Sequence, residues 1–123
     1  MENGTGNAIE NAMRTKLDLN NLSDKNLQRC NAVFHQCEDW SVTDWACAMA
    51  GEAGEVCNEA KKIKRGDYGH DPSLGLERLA MEMADVVIYL DLLASRTGIN
   101  LGNAIIEKFN HVSDKKFCGI KLP

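Results

Sequence analysis

The stretch Ser41–Arg65, SVTDWACAMAGEAGEVCNEAKKIKR, decides the fold. Ser41 followed three residues later by Asp44 is the pattern of a capping box at a helix N-terminus. Apolar residues then recur at helical spacing up to Arg65, where Gly66 supplies a stop. At 100° per residue, Glu52, Glu55 and Glu59 fall on one side with Trp45, Ala48, Met49, Val56 and Ile63. Cys47, Gly51, Gly54, Asn58, Lys61 and Arg65 take the other. The acids therefore lie within the apolar face. Carboxylates there are costly unless something positive meets them. Gly51 and Gly54 each cost about 1 kcal/mol relative to Ala in a helix interior, so a close approach by another helix or by a ligand is expected at them.

Downstream, Gly66–Gly75 reads as a loop, followed by a helix over Leu76–Arg96 that runs antiparallel to the first. Leu79, Glu82, Asp85, Val86, Tyr89 and Leu93 share one face of it. Its back is apolar as well: Ala80, Ala84, Val87, Ile88 and Ala94, interrupted by Asp91. A helix apolar all round must be covered all round, which a homo-oligomer achieves, most simply a C2 dimer. Thr97-Gly98 ends that helix. Asn100 caps another that carries Leu101, Ile105, Phe109 and Val112 inward, with Lys108 at the margin of the stripe. The tail, Lys115–Pro123, reads as irregular. Upstream, Ser23 reads as the N-cap of a helix with the stripe Leu27, Cys30, Phe34 and Cys37, ending before Trp40. Residues 1–22 read as an Asn-rich arm, in which Ile9, Met13 and Leu17 give either a short docking helix or disorder. No β-alternation is present. The expected architecture is all-α, an antiparallel bundle of four main helices over residues 23–123, assembling as a dimer or a dimer of dimers.

Composition narrows the function. With 14 Lys+Arg against 18 Asp+Glu the net charge is -4, which is no footprint for nucleic acid or for anionic membranes. No run of about 18 apolar residues suggests a membrane span, and Met1–Asn7 lacks the layout of a signal peptide. A cytoplasmic setting is expected. The five cysteines contain no C-x-x-C pair and read as reduced thiols, mostly packed as small hydrophobes.

The chemistry lies in the acids. Glu52/Glu55 and Glu82/Asp85 are i, i+3 pairs, whose Cβ atoms on a helix are about 5–6 Å apart. Helices about 8–10 Å apart would aim both pairs at one spot. The hard oxygens so gathered suit Mg2+, with Mn2+ as a substitute, and such ions serve phosphate chemistry. Glu55 or Glu59 could take a water's proton. Lys62, Arg65 and Lys108, with Lys61 and Arg78 behind them, could hold outer phosphates, and Trp40, Trp45 and Tyr89 could wall a base. The plain alternatives are a solvated acidic face, core packing for the tryptophans, and ordinary helix-end charges for Lys62 and Arg65. His35, His70 and His111 show no ligand spacing and read as structural or exposed.

Gly51-Glu-Ala-Gly-Glu-Val56, Glu82-Met-Ala-Asp-Val-Val-Ile-Tyr-Leu90 and Glu107-Lys-Phe-Asn110 together resemble a MazG-type nucleotide pyrophosphohydrolase of the all-α NTP pyrophosphatase superfamily. The resemblance covers roughly residues 30–116. It implies dimers or dimers of dimers and Mg2+-dependent cleavage between the α and β phosphates of a nucleoside triphosphate, expected to be a dNTP. The products would be the monophosphate and pyrophosphate, in a housecleaning role. It also implies that Glu52, Glu55, Glu82 and Asp85 hold the metal, that Lys108 and Asn110 contact phosphate or sugar, and that Tyr89 lies near the nucleotide. Lys62 stands where some dCTP-cleaving relatives carry an aromatic residue. Phosphoribosyl-ATP pyrophosphohydrolases and dUTPases keep the cage and change the substrate. A non-catalytic helical oligomer binding a regulatory ligand is the reading from a different class. The absence of a Glu-x-x-His motif argues against a di-iron site.

Overall fold

The structure is a computed structural model and describes residues 16–123. Four α-helices carry the fold: α1 (Leu19–Arg29), α2 (Val42–Arg65), α3 (Pro72–Thr97) and α4 (Leu101–Lys115). No strand occurs among the described residues, so the all-α expectation holds. No helix among them is long and apolar enough to cross a membrane. The long helices α2 and α3 form the central hairpin, α1 lies against α3, and α4 packs chiefly on α1.

Local chemistry sets the helix ends. Ser41 and Asp44 form the capping box in both directions, and Gly66 (φ 76°) and Gly98 (φ 71°) close α2 and α3 in the left-handed conformation. Asn100 caps α4 through the Asn103 amide. Two boundaries differ from expectation. Helix α1 starts four residues earlier than Ser23, because Asp18 is the N-cap and accepts from the Asn21 amide at 2.7 Å. Ser23 lies inside the helix. Helix α3 starts at Pro72 behind the Asp71 cap, so the connection is 66–71 only. Proline at the first helical position has no amide to leave unsatisfied.

The stripe predicted for α1 also fails in part. After Arg29 the chain widens into a π turn, Cys30–Phe34, closed by His35 N donating to Cys30 O at 3.1 Å. The extra residue breaks the 3.6-residue period. Phe34 swings out to 69% exposure, while Cys37 is buried from a separate 3-10 turn, Cys37–Asp39. The cysteines are all free, but only Cys30 and Cys37 are buried; Cys47 and Cys57 are exposed, against the expectation of mostly packed thiols.

Glycine explains one close approach and corrects another. At Gly75 a Cβ would lie 2.8 Å from the Tyr68 ring and 2.9 Å from Ile63. Tyr68 cannot yield, because its hydroxyl donates to Glu59. Gly75→Ala gains about 1 kcal/mol of helix propensity and loses about 1–3 kcal/mol to overpacking. We expect net destabilisation in thermal melts, with an unchanged or raised melting temperature contradicting this packing. At Gly51 and Gly54 nothing lies within 4 Å. The approach expected there does not occur among the described residues.

Asp91 is not an interruption of the α3 back. It is fully buried, at 0% exposure, and its carboxyl group accepts from the Ser23 hydroxyl and from Asn26 Nδ2 at 2.9 Å. Asn26 Nδ2 also donates to the Ile88 carbonyl at 2.8 Å. These polar contacts latch α1 onto the C-terminal half of α3, where Leu92 and Ala94 are buried too. The N-terminal half stays open, with Leu76, Met83, Ala84 and Val87 exposed. The α4 stripe is not inward either: Ile105, Phe109 and Val112 are exposed, because α4 packs chiefly on α1. Ile9 and Met13 lie outside the described residues, and Leu17 is exposed.

Candidate functional site

Helix α2 brings Glu52, and α3 brings Glu82 and Asp85, to one place. One carboxylate oxygen from each lies within 4.8 Å of the others, and all three residues are half-buried. None of the three is paired with a cation among the described residues. Burial, and then the charges of Asp85, Glu82 and Glu55, push the Glu52 carboxyl above the usual glutamate range. Three oxygens so crowded and uncompensated fit a hard divalent cation such as Mg2+ or Mn2+. Glu55, the fourth expected ligand, is exposed and stands outside the set, close enough only to add repulsion at Glu52.

The raised Glu52 pKa has a signed consequence. Its folded value exceeds its unfolded value, so ionising it costs stability as pH rises through the folded value, and a cation removes that cost. We expect the melting-temperature gain from saturating Mn2+ to be small at about pH 5 and larger at about pH 7.5. A pH-independent gain would contradict competition between proton and metal at these oxygens.

Glu59 is not a free base. It is buried and accepts from the Tyr68 hydroxyl and from Lys62 Nζ at 3.2 Å, which hold its carboxyl below the usual range, Tyr68 first. Arg78 lies 5.9 Å over the Tyr68 ring. This cluster fixes the loop. It also occupies Lys62, and Arg65 is paired with Asp67 at 2.7 Å. At 1.5 Å per residue, Lys62 and Arg65 stand roughly 15 and 20 Å along α2 from Glu52. They are not at the carboxylates, because the apolar side that carries Glu52 runs on into the loop packing. Lys108 lies beside Ala104, Ile105 and Phe109 on the open face of α4. Asn110 is engaged elsewhere: its amide donates to Leu122 O at 3.0 Å and accepts from Leu122 N at 2.8 Å, pinning the C-terminal tail.

Beside the carboxylates opens a cleft of about 380 Å³, and Asp85 belongs to both. Its walls include Trp40, Trp45, Tyr89, His35 and Phe34 from the turns after α1 and from α2 and α3. His35 stacks on Trp40 with centroids 4.4 Å apart. Trp40 and Trp45 are 4.6 Å apart, and Trp45 and Tyr89 6.2 Å. Trp45, at 2% exposure and with Nε1 donating to Cys37 O at 3.0 Å, is a core residue backing the cleft. Trp40 is half-buried, and its carbonyl accepts from Arg96 Nε at 2.8 Å, which ties the turn to α3. His35 Nδ1 donates to the Gln36 carbonyl at 2.9 Å, which sets the ring's orientation. A second cleft of about 400 Å³, between α1 and the α3–α4 turn, holds none of the three carboxylates.

The structure thus assembles Glu52, Glu82, Asp85, Trp40, Trp45 and Tyr89, leaves Lys62 and Arg65 farther along α2, and has neither Lys108 nor Asn110 among the residues that line the cleft. It adds Asn26 and Arg29, to which the sequence pattern gives no role, and His35, whose spacing reads as structural or exposed and which instead lines the cleft. Arg29 is exposed at the cleft and forms no ion pair among the described residues. Asn26 carried a signal: a polar residue one position before Leu27 on the inward side of α1, as the acids are polar within an apolar face. His35 follows the π turn, where helical spacing carries no information.

Over 72 residues the chain is 31% identical to the Gene 37 protein of Mycobacterium phage L5, an overlap of 58% of this chain and 63% of the phage protein. The match thus covers less than two thirds of that relative's length. No family model and no solved structure matches the chain.

Proposed function

We propose that the protein is a MazG-like, Mg2+-dependent nucleoside triphosphate pyrophosphohydrolase, acting on a dNTP and releasing the monophosphate and pyrophosphate. One observation carries the reading: Asp85 is shared by the three-carboxylate set and the aromatic cleft. A cation site and an apolar slot in contact match the two ends of a nucleotide.

In this reading Glu52, Glu82 and Asp85 hold the cation, which when bound supplies charge neutralisation at phosphate oxygens and acidifies water. Trp40, His35 and Tyr89 receive the base by stacking. Arg29, at the cleft and without an ion pair among the described residues, meets phosphate charge with a planar fork of donors. Glu55, exposed and one turn from Glu52, is placed to take a proton from the attacking water. A reducing, cytoplasmic setting fits the five free cysteines. The test is a panel of NTPs and dNTPs assayed with Mg2+ for pyrophosphate against orthophosphate. Pyrophosphate from at least one nucleotide is expected. Orthophosphate alone, or no product, would overturn the reading.

We also place a second copy of the chain over the open half of α3 and the exposed α4 stripe, supported by their exposed apolar residues and by the lack of any neighbour within 4 Å of Gly51 and Gly54 among the described residues. Sedimentation at micromolar concentration should give a dimer or larger. A strictly monomeric mass would contradict it.

A further inference from the structure

Asn26 has a feature that the metal site and the aromatic walls do not use. Its two amide hydrogens are both committed, one to the Ile88 carbonyl at 2.8 Å and one to the Asp91 carboxyl group at 2.9 Å. Both partners are acceptors there, so the amide cannot flip: its nitrogen must face them. Oδ1 is then fixed on the other side. It has no partner among the described residues, and no side-chain oxygen or nitrogen there is sealed from solvent without one. Asn26 is itself 4% exposed and lines the aromatic cleft. The cleft that Asn26 helps to line, together with Asp85, is therefore where an acceptor without a partner can meet a ligand.

A buried amide held in this way is a one-sided reader. It offers a hydrogen-bond acceptor and withholds its donors. We propose that Asn26 Oδ1 is a specificity determinant that selects cytosine or adenine, whose exocyclic amino group stands where uracil or hypoxanthine carries a carbonyl, over those carbonyl counterparts. This rests on the reading of the cleft as a base site. An amino group donates to Oδ1. A carbonyl in the same place sets oxygen against oxygen, with Asp91 behind it, and the N–H of a uracil ring lies between two such carbonyls. A site built around one fixed polar group discriminates most strongly against a ligand that leaves that group unpaired.

The test uses the full-length protein with Mg2+ and non-cleavable α,β-imido nucleotides, so that binding is read without turnover. Dissociation constants are compared within two series: dCTP, its 4-deamino (2-pyrimidinone) analogue and dUTP; and dATP, its 6-deamino (purine) analogue and dITP. In at least one series, loss of the amino group should weaken binding about tenfold, and the carbonyl form should bind more weakly still. In Asn26→Ala the members of that series should agree within about threefold. The wild-type series decides alone if this variant does not fold. Equal binding of amino, deamino and carbonyl forms by the wild type overturns the assignment, as does tighter binding of the carbonyl form. Cleavage of the natural dNTPs is measured in parallel. Cleavage without discrimination removes the role of Asn26 and keeps the hydrolase. Discrimination without cleavage does the reverse. Absence of any nucleotide binding overturns both.

Discussion

Replacing Asp85 with asparagine, or Glu52 with glutamine, is expected to lower kcat/KM for pyrophosphate release by about a thousand-fold or more. Both residues give oxygens to the three-carboxylate set, and Asp85 also borders the cleft. The loss follows from magnitudes. A divalent ion contributes several kcal/mol to stabilising charge on a transferring phosphoryl group, and each 1.4 kcal/mol is a factor of ten in rate. An amide keeps one oxygen but removes the negative charge that draws the ion. The same change should not harm the fold. Glu52 has its carboxyl pushed up by burial and by Asp85, Glu82 and Glu55. Neutralising it relieves repulsion, worth roughly 0.2–0.5 kcal/mol for each pair at helical spacing. The metal-free Glu52→Gln protein should therefore melt at the same temperature as wild type or slightly above it. Wild-type activity in either variant would remove these carboxylates from the chemistry. A large fall in melting temperature would give them a structural task instead.

Asp91→Ala should produce the opposite pattern, a large loss of stability. Asp91 is at 0% exposure and receives hydrogen bonds from Ser23 and Asn26, both on α1. Truncation leaves those donors without an acceptor, at about 1–3 kcal/mol for each buried group left unsatisfied, and opens a small cavity. A total near 3 kcal/mol corresponds to a fall in melting temperature of about 10 °C for a domain of this size. Asp91→Asn keeps an acceptor oxygen and should cost less. Because α1 leads into the turn that supplies His35 to the cleft, Asp91→Ala should weaken nucleotide binding as well. Equal melting temperatures for wild type and Asp91→Ala would show that the latch contributes little.

The two long helices were legible because each announces itself locally. Ser41 and Asp44 mark a start, Gly66 and Gly98 mark stops, and acids inside an apolar stripe mark something to be explained. That reasoning reached Glu52, Glu82 and Asp85, which the structure gathers. Glu55, expected as a fourth ligand as well as a proton acceptor, stands outside the ligand set, since i, i+3 spacing brings two side chains to one surface but not to one depth. The sequence pattern offers Glu59 as an acceptor for a water's proton and Lys62 as a phosphate contact, whereas Tyr68, across the loop, claims Glu59 and through it Lys62. Periodicity cannot foresee a partner that a turn delivers. Asp91 looked like a flaw on an apolar back because its partners, Ser23 and Asn26, sit far away in sequence. A single π turn, a local departure that the apolar spacing does not encode, puts Phe34 outside the stripe and leaves Cys37 buried from a separate turn. Asn110 was read as a ligand contact, and the tail it pins had no pattern of its own.

The central claim is that Glu52, Glu82 and Asp85 hold a divalent cation at the mouth of the aromatic cleft. Anomalous diffraction from crystals soaked in Mn2+ tests it most directly. A peak is predicted among the three carboxylates, with oxygens about 2–2.5 Å from it, and none in Glu52→Gln crystals soaked in the same way. Wild-type crystals with no peak there, and the three carboxylates turned apart, would contradict it.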